Sequence, residues 1–198
     1  MSTGLRNLHL TQLCDALDSV PPTAPTLCEG WDAHDLAIHL WVLKRDPLSW
    51  PGIAVPAFAA ATQRRAEHVR RRWDYERLVA ELRHQGGAMA CMPLDRWEGH
   101  RHALGEYYIH TEDLRRANNL PRRTQTAETE DALWLRAHTA GRQLWMLGRD
   151  TISVASPHRD AFTLGRGAPT AQVTGLPSEV ILWIYGRGDV ADVVVTPH

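Results

Sequence analysis

Apolar residues recur every three or four positions through most of the first 148 residues, the period of amphipathic helices. Leu5, Leu8, Leu13 and Leu17 predict a first helix over Leu5–Leu17. The PPTAP segment, Pro21–Pro25, ends it as an extended link. Thr26–Trp31 (TLCEGW) reads as a turn. Asp32 is a good N-cap for a second helix, Ala33–Arg45, with Leu36, Ala37, Leu40 and Leu43 on its apolar side. Asp46–Pro56 carries three prolines and a glycine and predicts a loop. Phe58–Arg72 and Asp74–His84 return to helical composition, the latter with Leu78, Val79 and Leu82 inward and Gly86-Gly87 beyond its end. After a predicted loop over Ala88–Asp95, a long helix runs from about Trp97 to Asn118 and stops at Asn118-Asn119 and Pro121. Glu128–Leu147 is the next helix, with Leu133, Trp134, Ala137, Ala140, Leu144 and Trp145 as its apolar positions and Gly148 as its stop.

Beyond Gly148 the period shortens. Thr151–Ala155, Ala161–Leu164, Ala171–Thr174 and Val190–Thr196 read as short strands between turn residues. Pro177–Tyr185 reads as a short apolar helix with proline in its first turn. The expectation is a mainly α protein: an up-and-down helical bundle over residues 1–148 and a small α+β segment over 149–198.

Composition narrows the function. The chain has 198 residues and 43% hydrophobic content, enough for a core. A net charge of −1 argues against a dedicated nucleic-acid binder. The arginines of Phe58–Arg72 read as a solvated face rather than an anion patch. Lys44 is the only lysine, and eight tryptophans suit large buried surfaces or pocket walls. Cys14, Cys28 and Cys91 are odd in number and widely spaced, as expected of reduced thiols in a cytoplasmic protein. No apolar signal core opens the chain, and no run reaches the length of a membrane span.

The chemistry concentrates in Arg101–Ala117 (RHALGEYYIHTEDLRRA). Glu106 and His110, four residues apart, share one helix face about 6 Å apart along the axis. A carboxylate and an imidazole aimed at one point supply two ligands to a divalent metal. His39, bordering the apolar side of the second helix, reads as a hydrogen-bonded core histidine or as a third ligand. Three protein ligands leave room for water or substrate, the pattern of a catalytic zinc site, although nickel, iron and manganese accept the same set. His102 lies one turn before Glu106 and reads as a partly exposed helix histidine, a fourth ligand or a proton carrier; Asp113 lies nearly a turn beyond His110. His34 reads as a solvated first-turn residue, His138 as structural or exposed, and Cys28 as a small buried filler.

LCEGWDAHDLAIHL (Leu27–Leu40) together with GEYYIHTEDLRRA (Gly105–Ala117) resembles the DinB-like superfamily. The pairing is closer to the branch named for mycothiol-dependent maleylpyruvate isomerase. WPGIAVPA (Trp50–Ala57) and RHALGEYYIHTEDLRRA together resemble an actinobacterial metal-binding family within it. PSEVILWIYGR (Pro177–Arg187) resembles the small segment that often follows the bundle there. The resemblance implies a four-helix-type bundle holding one divalent metal, usually zinc, on His39, Glu106 and His110. It also implies that the metal activates the thiol of mycothiol for addition to a small electrophile, with an arginine of the C-terminal segment involved. Arg187 is the candidate.

Two functions follow. One is a metal-dependent thiol transferase or isomerase, with a low-molecular-weight thiol and an electrophile as partners and a pocket walled by Trp41, Trp50, Tyr107 and Trp183. In it His102 or Asp113 moves protons. The other is a non-enzymatic metal-binding or interaction protein. Neither involves nucleic acid or membrane, and both leave a homodimer open.

Overall fold

The computed structural model describes residues 3–50, 59–84, 92, 98–145 and 150–197. Among these residues the chain forms seven α-helices and a four-stranded sheet. They group into two compact units, residues 1–122 and 123–198.

The first unit contains α1 (Thr3–Asp18), α2 (Ala33–Arg45), a single 3-10 turn (Pro47–Ser49), α3 (Ala59–Arg72), α4 (Tyr75–Arg83) and α5 (Arg101–Ala117). α1 packs on α5 and α4, and α2 on α4 and α3. The first helix buries Leu10, Leu13, Cys14 and Leu17, while Leu8 is 46% exposed. Its core face is therefore rotated toward Leu10 and away from Leu8. Asp32 and Asp35 close a reciprocal capping box at the start of α2: Asp35 N–H donates to Asp32 Oδ1 at 2.8 Å, and Asp32 N–H to Asp35 Oδ2 at 3.4 Å. Asp74 caps α4 through a single bond from Arg77 N–H at 2.8 Å. At the other end of α4 the buried Lys44 ammonium donates to Leu82 O (2.6 Å) and His84 O (3.0 Å), filling carbonyls the last turn leaves open. Burial then lowers the Lys44 pKa to about 8. Cys14 lies in the same core, and burial raises its thiol to about 12.

The continuous part of α5 starts at Arg101, later than the apolar pattern suggests. Gly99 and His100 take left-handed φ values of 56° and 67°, which break the helix before it. The loops expected near 51–58 and 85–91, Cys91, Trp97 and the helix end at 146–148 lie outside the described residues.

The second unit holds α6 (Ala127–Trp145), β1 (Ile152–Ser156), β2 (Arg159–Leu164), β3 (Ala171–Gly175), α7 (Pro177–Ile184) and β4 (Val193–Pro197). Strand order is β2-β1-β3-β4, with β1 and β3 parallel and both outer pairings antiparallel. The sequence pattern placed α6 in the bundle with a boundary at 148, whereas α6 groups with the strands. The reason lies in its buried face. Trp134 meets Phe162 of β2 at 5.0 Å, and Gly141 sits so close to Leu164 that a Cβ there would collide with it. His138 is also in this contact, 3.8 Å from the Phe162 ring centroid. Glu130 of α6 caps α7, accepting from Ser178 N–H and Oγ–H, both at 2.8 Å. Leu144, expected inward, is 54% exposed. No helix among the described residues is long and apolar enough to cross a membrane.

Candidate metal centre

One backbone and one side-chain hydrogen bond tie the turn before α2 to the second half of α5. Leu27 N–H donates to Asp113 O at 3.2 Å, and Asn118 Nδ2 donates to Pro25 O at 2.9 Å. Ala33 N–H reaches back to Ala24 O at 2.9 Å, so the turn is closed on itself before the helix begins. With the capping box fixing the start of α2, His39 is carried onto α5 where Glu106 and His110 stand.

One ligand atom each from His39, Glu106 and His110 lies within 4.8 Å of the others. His110 Nε2 is 3.6 Å from Glu106 Oε2, and the His39 and His110 rings meet edge-on at 5.3 Å. Metal–nitrogen and metal–oxygen bonds of about 2.1 Å in a tetrahedral site separate neighbouring donors by about 3.4 Å. The His110–Glu106 spacing matches that value, and the third donor is within a small side-chain adjustment of it. Two imidazoles and a carboxylate are the donor chemistry of an open divalent site, so the residues present fit such an ion.

The charges are arranged for it. Burial would raise the Glu106 carboxyl, but the hydrogen bond and charge of His110, with His102 and His39 nearby, hold it down at about 2. Burial lowers His39 to about 4, and the His110 charge adds to this, so His39 is neutral with a lone pair free to bind. Burial opposes a charge on His110 too, yet Asp113, Cys28 and Glu106 surround it and raise its pKa well above the usual value. Without a metal, the His110 imidazolium neutralises Glu106.

Asp113 and Cys28 form the outer side of this cluster. Asp113 is fully buried, and His110 Nδ1–H donates to its Oδ2 at 2.9 Å. That bond turns Nε2 toward Glu106 and His39, the carboxylate–histidine pairing that orients ligating imidazoles. The Cys28 thiol donates to the same Oδ2 at 3.3 Å and lies 3.9 Å from His110 Nδ1. The sequence reading missed this contact. Cys28 is 82 residues from His110, and no local periodicity joins them; the visible signal was the i, i+3 spacing of His110 and Asp113.

The other expected residues lie as follows. His102 is one turn before Glu106, close enough for its charge to lower that carboxyl. Tyr107 is 2% exposed within the core. Trp50 packs against the core and donates to Leu43 O at 2.9 Å. Trp41 meets Trp73 edge-on at 4.9 Å and lines a cavity that does not include His39. The aromatic side chain at His39 is instead Trp31, 4.9 Å away. A cavity of about 140 Å³ opens there between Trp31, Ile38, Val42 and Ala66, with Thr62 and Gln63 at its polar side. Arg187 and Trp183 belong to the second unit; Arg187 follows α7 and donates to Tyr185 O at 2.6 Å, and Trp183 stacks on Trp145 at 5.4 Å. His34, expected to be solvated, is partly buried edge-on to Tyr75 at 5.7 Å, and burial lowers its pKa.

No family model matches the sequence, and no curated protein matches it. Solved structures do match. The crystal structure of the mycothiol-dependent maleylpyruvate isomerase aligns at 17% identity with a TM-score of 0.59, covering 97% of this chain and 90% of that one. A variant of the same isomerase with a histidine replaced by alanine aligns at 16% identity and TM-score 0.58, with the same coverage. The chain therefore has the DinB-like, maleylpyruvate isomerase-like fold: a mainly helical architecture with a small C-terminal sheet.

Proposed function

We propose that the protein binds one divalent metal through His39, Glu106 and His110 and uses it to activate a low-molecular-weight thiol, mycothiol in the first instance, for attack on a small electrophile. The observation that carries this reading is the convergence of those three donor atoms, from two helices, within 4.8 Å of one another. The shared fold with an enzyme named for its mycothiol dependence supports the choice of thiol. Zinc is the first candidate on donor chemistry, with nickel and iron as alternatives.

A bound metal of this kind supplies Lewis acidity, which holds a coordinated thiol as thiolate near neutral pH. The remaining work falls to the chain. Asp113 fixes the His110 ring through Nδ1 and leaves Nε2 facing inward. Glu106 brings the single negative charge of the ligand set, and His39 brings a neutral nitrogen. Trp31 and Ile38 form the apolar wall of the small cavity at His39, whose lining also carries Asp35, Glu67 and Arg70. His102, one turn from Glu106, is proposed to carry a proton.

The test is cobalt(II) substitution followed by titration with mycothiol. A thiolate-to-cobalt charge-transfer band that saturates at one thiol per chain supports the reading. A spectrum unmoved by mycothiol and by simpler thiols contradicts thiol activation.

A further inference from the structure

α3 carries five arginines, and the structure treats its two sides differently. Arg70, on the side that faces the cavity at His39, pairs with Asp35. On the other side, Arg64, Arg65 and Arg72 join Arg45 of α2 around a cavity of about 530 Å³. Asp46 is the one carboxylate among its described lining residues, and Arg65 occupies both its oxygens through Nε and NH2. Arg64 and Arg72 thus add two guanidinium groups that no carboxylate among the described lining residues matches.

The walls are held in place. Arg45 donates to His84 O at 2.6 Å. Ser49 Oγ–H donates to Asp46 Oδ2 at 3.0 Å, steadying the partner of Arg65. Arg72 lies over the Trp73 ring at 4.7 Å, and Trp73 meets Trp41, which forms an indole wall of the cavity. Arg64 has no ion-pair partner among the described residues, and His68 adds an imidazole at the rim. Like charges gathered in a concavity repel one another and attract a counter-ion. Guanidinium forks match the geometry of carboxylate and phosphate oxygens, and a flat indole accepts the body of a planar ligand.

We infer that this cavity is a binding site for a small ligand bearing two or more oxyanionic charges, carboxylate or phosphate, separate from the His39–Glu106–His110 cluster. The site uses the opposite side of α3 from the cavity at His39 and shares no lining residue with it. It does not depend on the proposed thiol chemistry.

The experiment is calorimetric titration of the purified protein with inorganic pyrophosphate and, separately, malonate at low ionic strength, with tryptophan fluorescence in parallel. The expected result is saturable binding of at least one probe at one per chain, weakened by added salt. Arg64→Gln with Arg72→Gln weakens it roughly tenfold or more, whereas Arg70→Gln on the opposite side leaves it unchanged. Trp41→Phe removes the larger part of the fluorescence response, and His39→Ala retains binding, which separates this site from the metal cluster. A preference for pyrophosphate or malonate assigns the ligand to phosphates or to dicarboxylic acids. The inference is overturned if neither probe saturates by about 10 mM, if Arg70→Gln weakens binding as much as the double variant, or if His39→Ala abolishes it.

Discussion

Metal binding should release one proton per chain, and the number follows from the charges around the cluster. Two ordinary imidazoles with pKa near 6.5 are each about three-quarters protonated at pH 6, and together would release about 1.5 protons. Here His39, lowered to about 4 by burial and by His110, has none to give at pH 6. Glu106, at about 2, is already ionised. His110 is raised well above its usual value by Asp113, Cys28 and Glu106, so it holds a full proton at pH 6 and at pH 7. That proton sits where a ligand bond must form. Affinity should therefore rise about tenfold per pH unit through this range, about 1.4 kcal/mol per unit. Calorimetry with zinc in two buffers of different ionisation enthalpy counts the protons directly. The reasoning predicts one at pH 6 and one at pH 7 for the imidazole. Near zero at pH 7 would mean that His110 is not held charged, and nearly two at pH 6 would mean that His39 is not depressed. Asp113→Asn, which removes the charge behind Nδ1, should cut the release at pH 7 to well below one and weaken metal binding by roughly 10- to 100-fold.

Other expectations follow from the same geometry. In the metal-free protein, the unfolded chain takes up a proton at His39 near pH 6.5 that the folded chain refuses until about 4, so stability falls by up to about 3 kcal/mol as pH drops across that window. Urea melts of wild type and His39→Gln should diverge in slope there, and parallel curves would refute the assignment. Glu130→Ala removes both hydrogen bonds to Ser178 and leaves the α7 N-terminus uncapped, at a cost of about 1–3 kcal/mol in urea unfolding; a loss under 0.5 kcal/mol would contradict the capping role. Cys28→Ser keeps a donor to Asp113 and should hold metal affinity within a few-fold, whereas Cys28→Ala should lose more; equal affinities in a competition titration would show that the thiol bond is idle.

Much of this was legible in the chain because it is written in local signals. The α2 boundaries followed from Asp32 and the apolar spacing, and the Glu106–His110 pair from helical period alone. The strands and α7 were readable from the change of period after 148. What escaped depends on long-range contact. The grouping of α6 with the sheet rests on Trp134 meeting Phe162 and on the absence of a side chain at Gly141, which no helical pattern encodes. Leu8 and Leu10 both fit a helical face, and only the packing partners of α1 decide which one is buried. The late start of α5 reflects two left-handed residues, one of them a histidine, a residue type that carries no strong turn signal. Cys28 reaches the cluster through a turn pinned to α5 by Leu27 and Asn118. Trp41 and Trp50, chosen for pocket walls, are used for packing and for the arginine cavity, while Trp31 in the preceding turn takes the place beside His39.

The most direct test of the central claim is the metal content of freshly purified protein, wild type beside His39→Ala, Glu106→Ala and His110→Ala, with circular dichroism to confirm folding. The account predicts about one divalent metal per chain in the wild type and near none in each folded variant. Stoichiometric metal retained in the Glu106→Ala and His110→Ala proteins, or a wild type that takes up no zinc, nickel or iron on reconstitution, would contradict it.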